Sequence, residues 1–402
     1  MENAFGAVKI TDRVYWVGAI DWALREFHGY LTSRGTTYNA YLILADKITL
    51  IDTVKAPFQN EMLERIASVV DPQRIAYIVS NHSEMDHSGC LPEMIERIKP
   101  EKVFASVMGV KALDDHFHSG QELTAVKDGE TVGLGNMTLQ FLETRMLHWP
   151  DSMFTYLAEE NLLFSQDGFG MHLASTERFD DQISDDILLG ESAKYYANIV
   201  MPFAPVVSKT LEKVQKLNLK INLIATDHGP IWRNGVSKIL GLYARWAARE
   251  PTRKAVIVYD TMWQSTAMMA KAIAEGLAGG GASVKVMPLS GSHRSDVATE
   301  VLDAGALLVG SPTFNNGLFP TVADVLTYLG GLRPLNLIGA AFGSYGWSGQ
   351  AAGRIEEILR DMKVELADKA VTVRYVPTAE ALAPCAALGR RVAELLSQKC
   401  SR

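Results

Sequence analysis

Four potential metal ligands lie within six residues of this chain. The segment reads His-Ser-Glu-Met-Asp-His, the pattern H-x-E-x-D-H. The preceding run, residues 75–80, is apolar and predicts a buried strand. We therefore expect the ligands on the loop that leaves this strand, where α/β proteins commonly place their sites. His82, Glu84 and Asp86 alternate, so an extended loop would turn these three side chains the same way and leave His87 for a second metal ion.

The segment after this cluster predicts a helix. Residues 91–98 have helical character, and Ser88 is a plausible N-cap for them. Cys90 opens this helix beside the cluster, and we expect it to be a buried structural thiol rather than a reactive one. The other cysteines, Cys385 and Cys400, form no C-x-x-C pair with it. The sequence therefore predicts neither a rubredoxin-type iron site nor a zinc knuckle.

Three further candidate ligands follow later apolar runs. His148 comes after the strand-like run 138–142, and Asp167 and His228 each come directly after another apolar run. Any one of them could be an ordinary polar loop residue. Three in succession, downstream of the first cluster, favour a metal site.

These seven candidates are enough for two metal ions. We expect Asp167 to bridge the ions and the others to form two groups: His82, Glu84 and His148 for one ion, and Asp86, His87 and His228 for the other. Two histidines and one carboxylate per ion suit zinc, but added carboxylate oxygen shifts the preference toward harder, redox-active ions. The ligand set therefore favours a pair of irons.

Composition and charge indicate a large protein without nucleic-acid or membrane partners. The 402 residues predict two or three domains, and the hydrophobic fraction of 48% can form sizeable cores. The net charge of −7, with no run of lysine and arginine, argues against nucleic acid as a partner. No apolar stretch reaches membrane length and the N-terminus lacks a signal pattern, so we expect a cytoplasmic protein.

The chain is expected to divide near Pro251, into a metal domain of residues 1–250 and a second domain of residues 251–402. In the second part, apolar β-prone runs alternate with helical segments, which predicts a doubly wound parallel sheet. The five predicted strands are residues 255–259, 284–288, 306–310, 337–342 and 371–376.

Three loops at the ends of these predicted strands are rich in hydroxyl, amide and glycine residues. The first strand lacks a G-x-G-x-x-G turn, which argues against a dinucleotide. Hydroxyls and backbone N–H groups at a helix N-terminus can bind a monophosphate, and the first loop resembles the phosphate loop of flavodoxins. We expect Thr266 to cap the following helix and to contact the phosphate of FMN; a flavodoxin-like fold without cofactor is the alternative. The candidate FMN residues are Thr261, Met262, Trp263, Gln264, Ser265 and Thr266, then Ser311, Pro312, Thr313, Asn315, Asn316 and Gly317, and then Ser344, Tyr345, Gly346, Trp347 and Gly349.

The metal cluster resembles the first motif of the metallo-β-lactamase fold, H-x-H-x-D-H, with Glu84 in place of the second histidine. A metal domain of this kind followed by a flavodoxin-like domain resembles the flavodiiron proteins, also called A-type flavoproteins, over nearly the whole chain. Four other segments also resemble that family: residues 17–22, 35–42, 145–153 and 339–349. The resemblance implies an α/β chain with an N-terminal metallo-β-lactamase-like αββα domain and a C-terminal flavodoxin-like doubly wound parallel sheet.

The family resemblance also implies an activity, with the closest likeness to the rubredoxin-dependent oxygen reductases of the family. A non-haem di-iron centre and FMN would reduce O2 to water, NO to N2O, or both, with electrons from rubredoxin. All seven candidate ligands would be iron-site residues, although the histidine that matches His87 does not bind iron in every member. The alternatives are a dizinc hydrolase with a regulatory flavodoxin-like domain and an electron-transfer flavoprotein with a vestigial metal site.

Three residues outside the ligand set are further candidates. His28 is either a donor near the irons or an ordinary surface or core histidine, and Tyr196 lies in a family-like stretch, residues 195–203. The resemblance implies a head-to-tail homodimer, or a dimer of such dimers, in which the flavin of one chain lies against the irons of its partner. Trp149, next to His148, is then a candidate flavin contact, with plain core packing as the alternative.

Overall fold

A computed structural model describes residues 4–401, which divide into two units. The first unit consists of the residues up to His28, Thr32–Tyr196 and Phe203–Ala244. The second consists of Gly29–Leu31, Ala197–Pro202 and the chain from Arg245 onward.

Strands and helices alternate irregularly between residues 8 and 248. The strands are β1 (Val8–Lys9), β2 (Val14–Trp16), β3 (Ala19–Asp21), β4 (Glu26–Phe27), β5 (Tyr30–Leu31), β6 (Thr36–Tyr38), β7 (Tyr41–Ile43), β8 (Thr49–Ile51), β9 (Tyr77–Ser80), β10 (Lys102–Ser106), β11 (Thr124–Val126), β12 (Thr131–Gly133), β13 (Thr138–Glu143), β14 (Met153–Leu157), β15 (Leu162–Phe164) and β16 (Leu223–Ala225). The helices are α1 (Gln59–Ala67), α2 (Met85–Ser88), α3 (Leu91–Ile98), α4 (Val107–Phe117), α5 (Asp185–Tyr195), α6 (Ala204–Lys216) and α7 (Val236–Ala248).

Two sheets form the centre of the first unit. The larger has the strand order β1-β2-β7-β8-β9-β10-β11, and the smaller has the order β12-β13-β14-β15-β16. Alternate residues of β7 face opposite ways: Tyr41 and Ile43 join Phe141 and Phe164 of the smaller sheet in one buried core, whereas Leu42 packs in a second core with helical residues such as Met94. Because successive side chains of a strand point to opposite faces of the sheet, both faces of the larger sheet are buried.

The second unit is a parallel sheet with helices between its strands. The strands are β17 (Lys254–Tyr259), β18 (Ser283–Pro288), β19 (Ala306–Gly310), β20 (Ile338–Tyr345), β21 (Glu365–Leu366) and β22 (Val371–Arg374). The helices are α8 (Ser265–Gly279), α9 (Arg294–Val301), α10 (Pro320–Leu332), α11 (Gln350–Asp361) and α12 (Ala379–Cys400). The main order is β18-β17-β19-β20-β21, with β22 also pairing with β20, and all of these pairs are parallel.

This strand order places a ligand crevice between the loops after β17 and β19, where the direction of winding reverses. The predicted strand at residues 337–342 is longer in the structure and runs to Tyr345, so Ser344 and Tyr345 belong to β20 rather than to the loop. Helices α8 and α12 pack closely because both carry glycine at the contact: a Cβ at Gly276 would lie 2.1 Å from the backbone oxygen of Ala386.

Within residues 4–401, no helix is both long enough and apolar enough to cross a membrane. All three cysteines are free: Cys90 and Cys385 are buried and Cys400 is exposed. Burial raises the pKa of the Cys90 thiol, as expected of a structural thiol rather than a reactive one.

Candidate metal centre and flavin cavity

The H-x-E-x-D-H segment begins where β9 ends, as the sequence predicts, but it is not an extended loop. His82 and Glu84 follow the strand, whereas Asp86 and His87 lie on the one-turn helix α2. The expectation that His82, Glu84 and Asp86 face the same way is therefore wrong. The helical turn sends Asp86 to the side of His87, and an alternating pattern of only six residues does not reveal such a turn.

Ser88 does not cap the next helix, so that prediction is also wrong. Cys90 holds the N-cap position of α3. The Ser88 hydroxyl instead lies 2.7 Å from the carbonyl oxygen of Ser83 and 3.0 Å from that of Glu84. These bonds tighten the turn that carries the ligands.

The first ligand group consists of His82, Glu84, His148 and Asp167, whose ligand atoms all lie within 4.8 Å of one another. Nε2 of His82 is 3.2 Å from Oε2 of Glu84, and Nε2 of His148 is 3.3 Å from that same oxygen. Both imidazoles thus turn Nε2 toward one point between the carboxylates. A cation at that point would have two nitrogen and two oxygen ligands.

The second ligand group consists of Asp86, His87 and His228. Nε2 of His228 is 3.2 Å from Oδ2 of Asp86, and the Nε2 atoms of His87 and His228 are also 3.2 Å apart. Both carboxylate oxygens of Asp86 are buried and receive no hydrogen bond from any of residues 4–401. A buried carboxylate without hydrogen bonds is costly unless a cation neutralises it, so this group fits a metal ion.

Asp167 lies between the two groups and directs one oxygen to each. Its Oδ2 is 2.8 Å from Nε2 of His148 and 3.4 Å from Nε2 of His82. Its Oδ1 is 3.1 Å from Nε2 of His87 and 3.5 Å from Nε2 of His228. The structure therefore brings all seven sequence-predicted ligands together, in the two predicted groups and with Asp167 between them.

The outer nitrogens of three of these histidines face oxygen atoms, and one of these contacts is a hydrogen bond. Nδ1 of His82 is 3.6 Å from Asp151, and Nδ1 of His87 is 3.6 Å from Asp227. Nδ1 of His228 is 2.6 Å from the carbonyl oxygen of Thr37. Such outer partners orient imidazole rings so that Nε2 points at a metal. The sequence prediction missed Asp151 and Asp227, although Asp227 directly precedes His228.

The dense packing of acids and imidazoles shifts their pKa values strongly. Burial opposes the charged form of each group, but Asp86 and Asp167 raise the pKa of His87 to about 9. Hydrogen bonds with the imidazoles of His148, His28 and His82 hold the pKa of Glu84 well below its usual range, although burial pushes it upward. Cations would displace the protons that these imidazoles hold, which is how metal binding couples to proton release.

His28 lies beside the first ligand group. Its Nε2 is 2.8 Å from Oε1 of Glu84, the carboxylate oxygen that does not face His148. The hydrogen bond to Glu84 raises the pKa of His28. The His28 side chain is 64% exposed, so it connects a buried ligand to solvent. This contact favours a role near the metals over that of an ordinary core histidine.

Tyr195, not Tyr196, has its ring near the cluster. The Tyr195 ring lies 6.2 Å from the ring of His228, whereas the Tyr196 ring packs edge-on against Tyr243 at 4.9 Å. Consecutive helical residues point in different directions, and α5 gives way to a π-helical turn at this point. The selection of Tyr196 as the candidate catalytic residue is therefore not supported by the geometry.

His172 is a second residue that the sequence prediction missed. It is buried beside His228, with ring centroids 4.6 Å apart, and its Nδ1 lies 2.9 Å from the Thr36 hydroxyl. Burial lowers its pKa well below the usual value. A neutral imidazole adds no charge to this side of the cluster. Trp149 lies on another side, with its ring edge-on to His82 at 5.1 Å.

The second unit has a cavity of about 530 Å³ at the carboxyl ends of its strands. Residues from all three predicted FMN loops line it. The lining residues are Met262, Trp263, Ser265, Pro312, Thr313, Asn315, Asn316, Ser344, Tyr345, Gly346, Trp347, Ser348, Tyr375 and Val376. Ser348, Tyr375 and Val376 were not predicted, and six predicted residues do not line it: Thr261, Gln264, Thr266, Ser311, Gly317 and Gly349.

Helix α8 begins at this cavity with Ser265 as its first residue. Gln264, in a left-handed conformation, occupies the cap position, so the expectation that Thr266 caps the helix is wrong. Thr266 is fully buried, and its hydroxyl lies 2.8 Å from that of Ser344. The buried Thr261 hydroxyl has no hydrogen-bond partner among the described residues. An open helix N-terminus beside such a hydroxyl fits a phosphate group.

Comparisons with known proteins match both parts of the chain. A family model described as ODP family beta lactamase matches residues 36–229, and a flavodoxin model matches residues 257–389. The nitric oxide reductase of Moorella thermoacetica is 49% identical over 96% of this chain and 98% of its own length. The rubredoxin-oxygen oxidoreductase of Megalodesulfovibrio gigas is 48% identical over 92% of this chain and 94% of its own length. This chain belongs to the flavodiiron protein family.

Solved flavodiiron structures extend the likeness to three dimensions. The rubredoxin oxygen:oxidoreductase of Desulfovibrio gigas has a TM-score of 0.97 at 46% identity, with 98% of this chain and all of that chain covered. The flavodiiron protein of Giardia intestinalis has a TM-score of 0.95 at 33% identity, with 98% of each chain covered. These matches confirm the predicted fold class and favour an oxidoreductase over the dizinc hydrolase.

Proposed function

We propose that this flavodiiron protein reduces O2 to water and NO to N2O, with two iron ions in the seven-residue cluster and FMN in the cavity of the second unit. The observation that carries the proposal is Asp167, whose two oxygens face two separate groups of imidazole and carboxylate ligands. Each group combines nitrogen and oxygen ligands, a set that suits iron. We further propose that residues 1–250 form the iron domain and residues 251–402 the FMN domain.

The proposed reactions balance with the electrons that these cofactors supply. Reduction of O2 to two waters consumes four electrons and four protons, and reduction of two NO to N2O and water consumes two of each. When bound, two irons and one FMN would supply up to four electrons.

The residues of the chain supply position, burial and protons. The ligands themselves are almost fully buried, so the site excludes bulk water from most sides. The Thr37 carbonyl fixes the orientation of His228, and Asp151 and Asp227 lie 3.6 Å from the Nδ1 atoms of His82 and His87. His28 lies between Glu84 and solvent, so its Nε2 can pass a proton toward the cluster.

The electron donor that we propose is rubredoxin, and the support comes from the relatives. One relative at 48% identity is named rubredoxin-oxygen oxidoreductase, and another at 49% is named nitric oxide reductase. A third relative, the coenzyme F420H2 oxidase of Methanothermobacter marburgensis, is 40% identical. Its name gives reduced coenzyme F420, not rubredoxin, as the electron donor. Because the names of the first two relatives differ in the gas, we propose both gases as substrates.

Metal analysis and gas consumption test this function. Protein purified without oxygen should be yellow and should contain two irons and one FMN per chain. Reduced rubredoxin should support consumption of O2 and of NO in separate assays. Protein that contains zinc, lacks flavin and reduces neither gas would contradict the proposal and would favour the dizinc hydrolase. Activity with reduced F420 but not with rubredoxin would overturn the choice of donor alone.

We also propose a head-to-tail homodimer in which FMN of one chain reduces the irons of its partner. Trp263 and Trp347 at the flavin cavity are 85% and 88% exposed, which is unusual for so large an apolar side chain unless another surface covers it. Mixing an Asp167→Ala variant with a Ser265→Asp variant should restore part of the activity, because one cross-chain pair keeps both cofactors. No recovery in proven heterodimers would exclude cross-chain transfer.

A further inference from the structure

The end of β22 contributes a fourth element to the flavin cavity, beside the three loops that sequence predicts. Tyr375 and Val376 follow this strand directly and line the cavity. Tyr375 is 57% exposed and has a positive φ of 55°, a conformation that bulky residues seldom adopt. Specific contacts must therefore hold it in place.

Two contacts fix Tyr375 against the third loop, and the strand register places its neighbour Arg374 beside the same loop. The backbone N–H of Tyr375 donates to the carbonyl oxygen of Tyr345 at 2.7 Å. Its ring lies so close to Gly346 that a Cβ there would be 3.2 Å from Cε1 of the tyrosine. The register of the strands places Arg374 directly opposite Tyr345. The Tyr375 ring and the third loop thus form one continuous side of the cavity.

Arg374 is exposed and contacts both parts of this side of the cavity. Its Nε donates to the carbonyl oxygen of Gly346 at 3.0 Å, and its guanidinium carbon lies 5.2 Å from the centre of the Tyr375 ring. Among the residues that line the cavity, none is an aspartate, glutamate, lysine or arginine. The positively charged guanidinium of Arg374 therefore contacts Tyr375, which lines a cavity without charged side chains.

We propose that Tyr375 is a flavin-contact residue and that Arg374 is a positioning residue whose charge raises the reduction potential of the bound flavin. Reduction of FMN by two electrons and one proton leaves a negative charge on the ring system, and a nearby cation favours that charged form. The Tyr375 ring supplies an aromatic face for the flavin. This inference rests on the proposed function, because it needs FMN in this cavity.

Three variants of the intact protein separate charge from packing. Arg374→Gln removes the charge, and Arg374→Lys keeps it. Tyr375→Ala removes the ring, and Arg360→Gln on α11, where Arg360 is exposed and pairs with Glu356, is the matched control. Each protein is titrated for the midpoint potential of its flavin and, after removal and readdition of FMN, for its dissociation constant.

The potential should fall in Arg374→Gln and should stay at the wild-type value in Arg374→Lys and in the control. Tyr375→Ala should weaken FMN binding by about two- to tenfold, the range for loss of one aromatic contact. Equal flavin potentials in Arg374→Gln and Arg374→Lys, or an unchanged FMN dissociation constant in Tyr375→Ala, would overturn the inference. The proposed function would stand in that case, provided that the wild-type protein binds FMN. Wild-type protein that neither retains nor rebinds FMN would contradict both.

Discussion

The metal cluster and the flavin cavity differ in how the protein builds them. The ligands of the metal cluster are held within the core, and six of the seven belong to side chains that are 8% exposed or less. The flavin cavity opens on the surface and is lined by aromatic side chains such as Trp263 and Trp347, which are almost fully exposed. The metal ligands are thus enclosed by the core, whereas the flavin cavity presents aromatic side chains at the surface.

This difference determines how each site should respond to substitution. In the cluster the ligands are buried and close to one another, so a changed ligand disturbs charge balance and metal choice together. In the cavity a changed side chain at the rim affects one cofactor contact and leaves the fold intact. Substitutions in the cluster should therefore have the larger effects.

The largest effect is expected from Glu84→His. This change recreates the zinc-type motif and removes one of three carboxylates, so we predict less iron, more zinc, and gas reduction that falls by at least ~100-fold. FMN content should be unchanged, because the two sites are built separately. Elemental analysis, flavin absorbance and gas consumption measure these outcomes. Glu93→His, on the exposed face of α3, is the control. Full iron occupancy and normal turnover in Glu84→His would refute the argument from ligand hardness.

The next effect is expected at the start of α8. Ser265→Asp places a negative charge at the helix N-terminus where a phosphate would bind, and like charges in contact weaken binding by roughly 100-fold. Aspartate is favourable in the first turn of a helix, so the protein should still fold and its iron content should remain normal. Ser265→Asn, which has the same size without the charge, should keep FMN. Stoichiometric FMN in the aspartate variant would show that the phosphate lies elsewhere.

Ser265 is a better test position than Thr266, which the sequence alone favours. Thr266 is fully buried and hydrogen-bonded to Ser344, so an aspartate there would disturb packing as well as phosphate binding. Loss of FMN from such a variant would not distinguish the two causes.

The smallest effect is expected from His28→Gln. Glutamine can keep a hydrogen bond to Glu84 but cannot exchange a proton near neutral pH, so gas reduction should fall by about tenfold with iron and FMN retained. The decisive measurement is the pH dependence of turnover. The wild-type rate should fall as the pH rises through the raised pKa of His28, and this fall should disappear in the variant. His118→Gln, also exposed and left-handed in its backbone, is the matched control. An identical pH profile in His28→Gln would remove His28 from proton transfer.

The sequence predicted the metal cluster well because its chemistry is carried by residue type and by position at strand ends. His148, Asp167 and His228 each follow an apolar strand, and parallel or adjacent strands bring their ends together. The one-turn helix that turns Asp86 away from Glu84 is too short to have a periodic pattern. The choice between Tyr195 and Tyr196 depends on the angle of one helix, which sequence does not fix.

The flavin cavity was harder to predict residue by residue. The three loops were correctly placed at one edge of the sheet, because strand order follows from alternation of strands and helices. Which loop residues face the cavity depends on backbone turns such as the left-handed Gln264. Tyr375 was missed because its position follows from the contact of β22 with β20, and nothing in its local sequence marks a ligand contact.

Anomalous diffraction at the iron absorption edge, from crystals grown without oxygen, tests the central claim most directly. We predict two iron peaks in each chain roughly 3.5–4 Å apart, a separation typical of two-metal sites. One should lie among His82, Glu84 and His148, the other among Asp86, His87 and His228, with Asp167 in contact with both. A single peak, two peaks that appear only at the zinc edge, or an Asp167 that touches one metal alone would contradict this account.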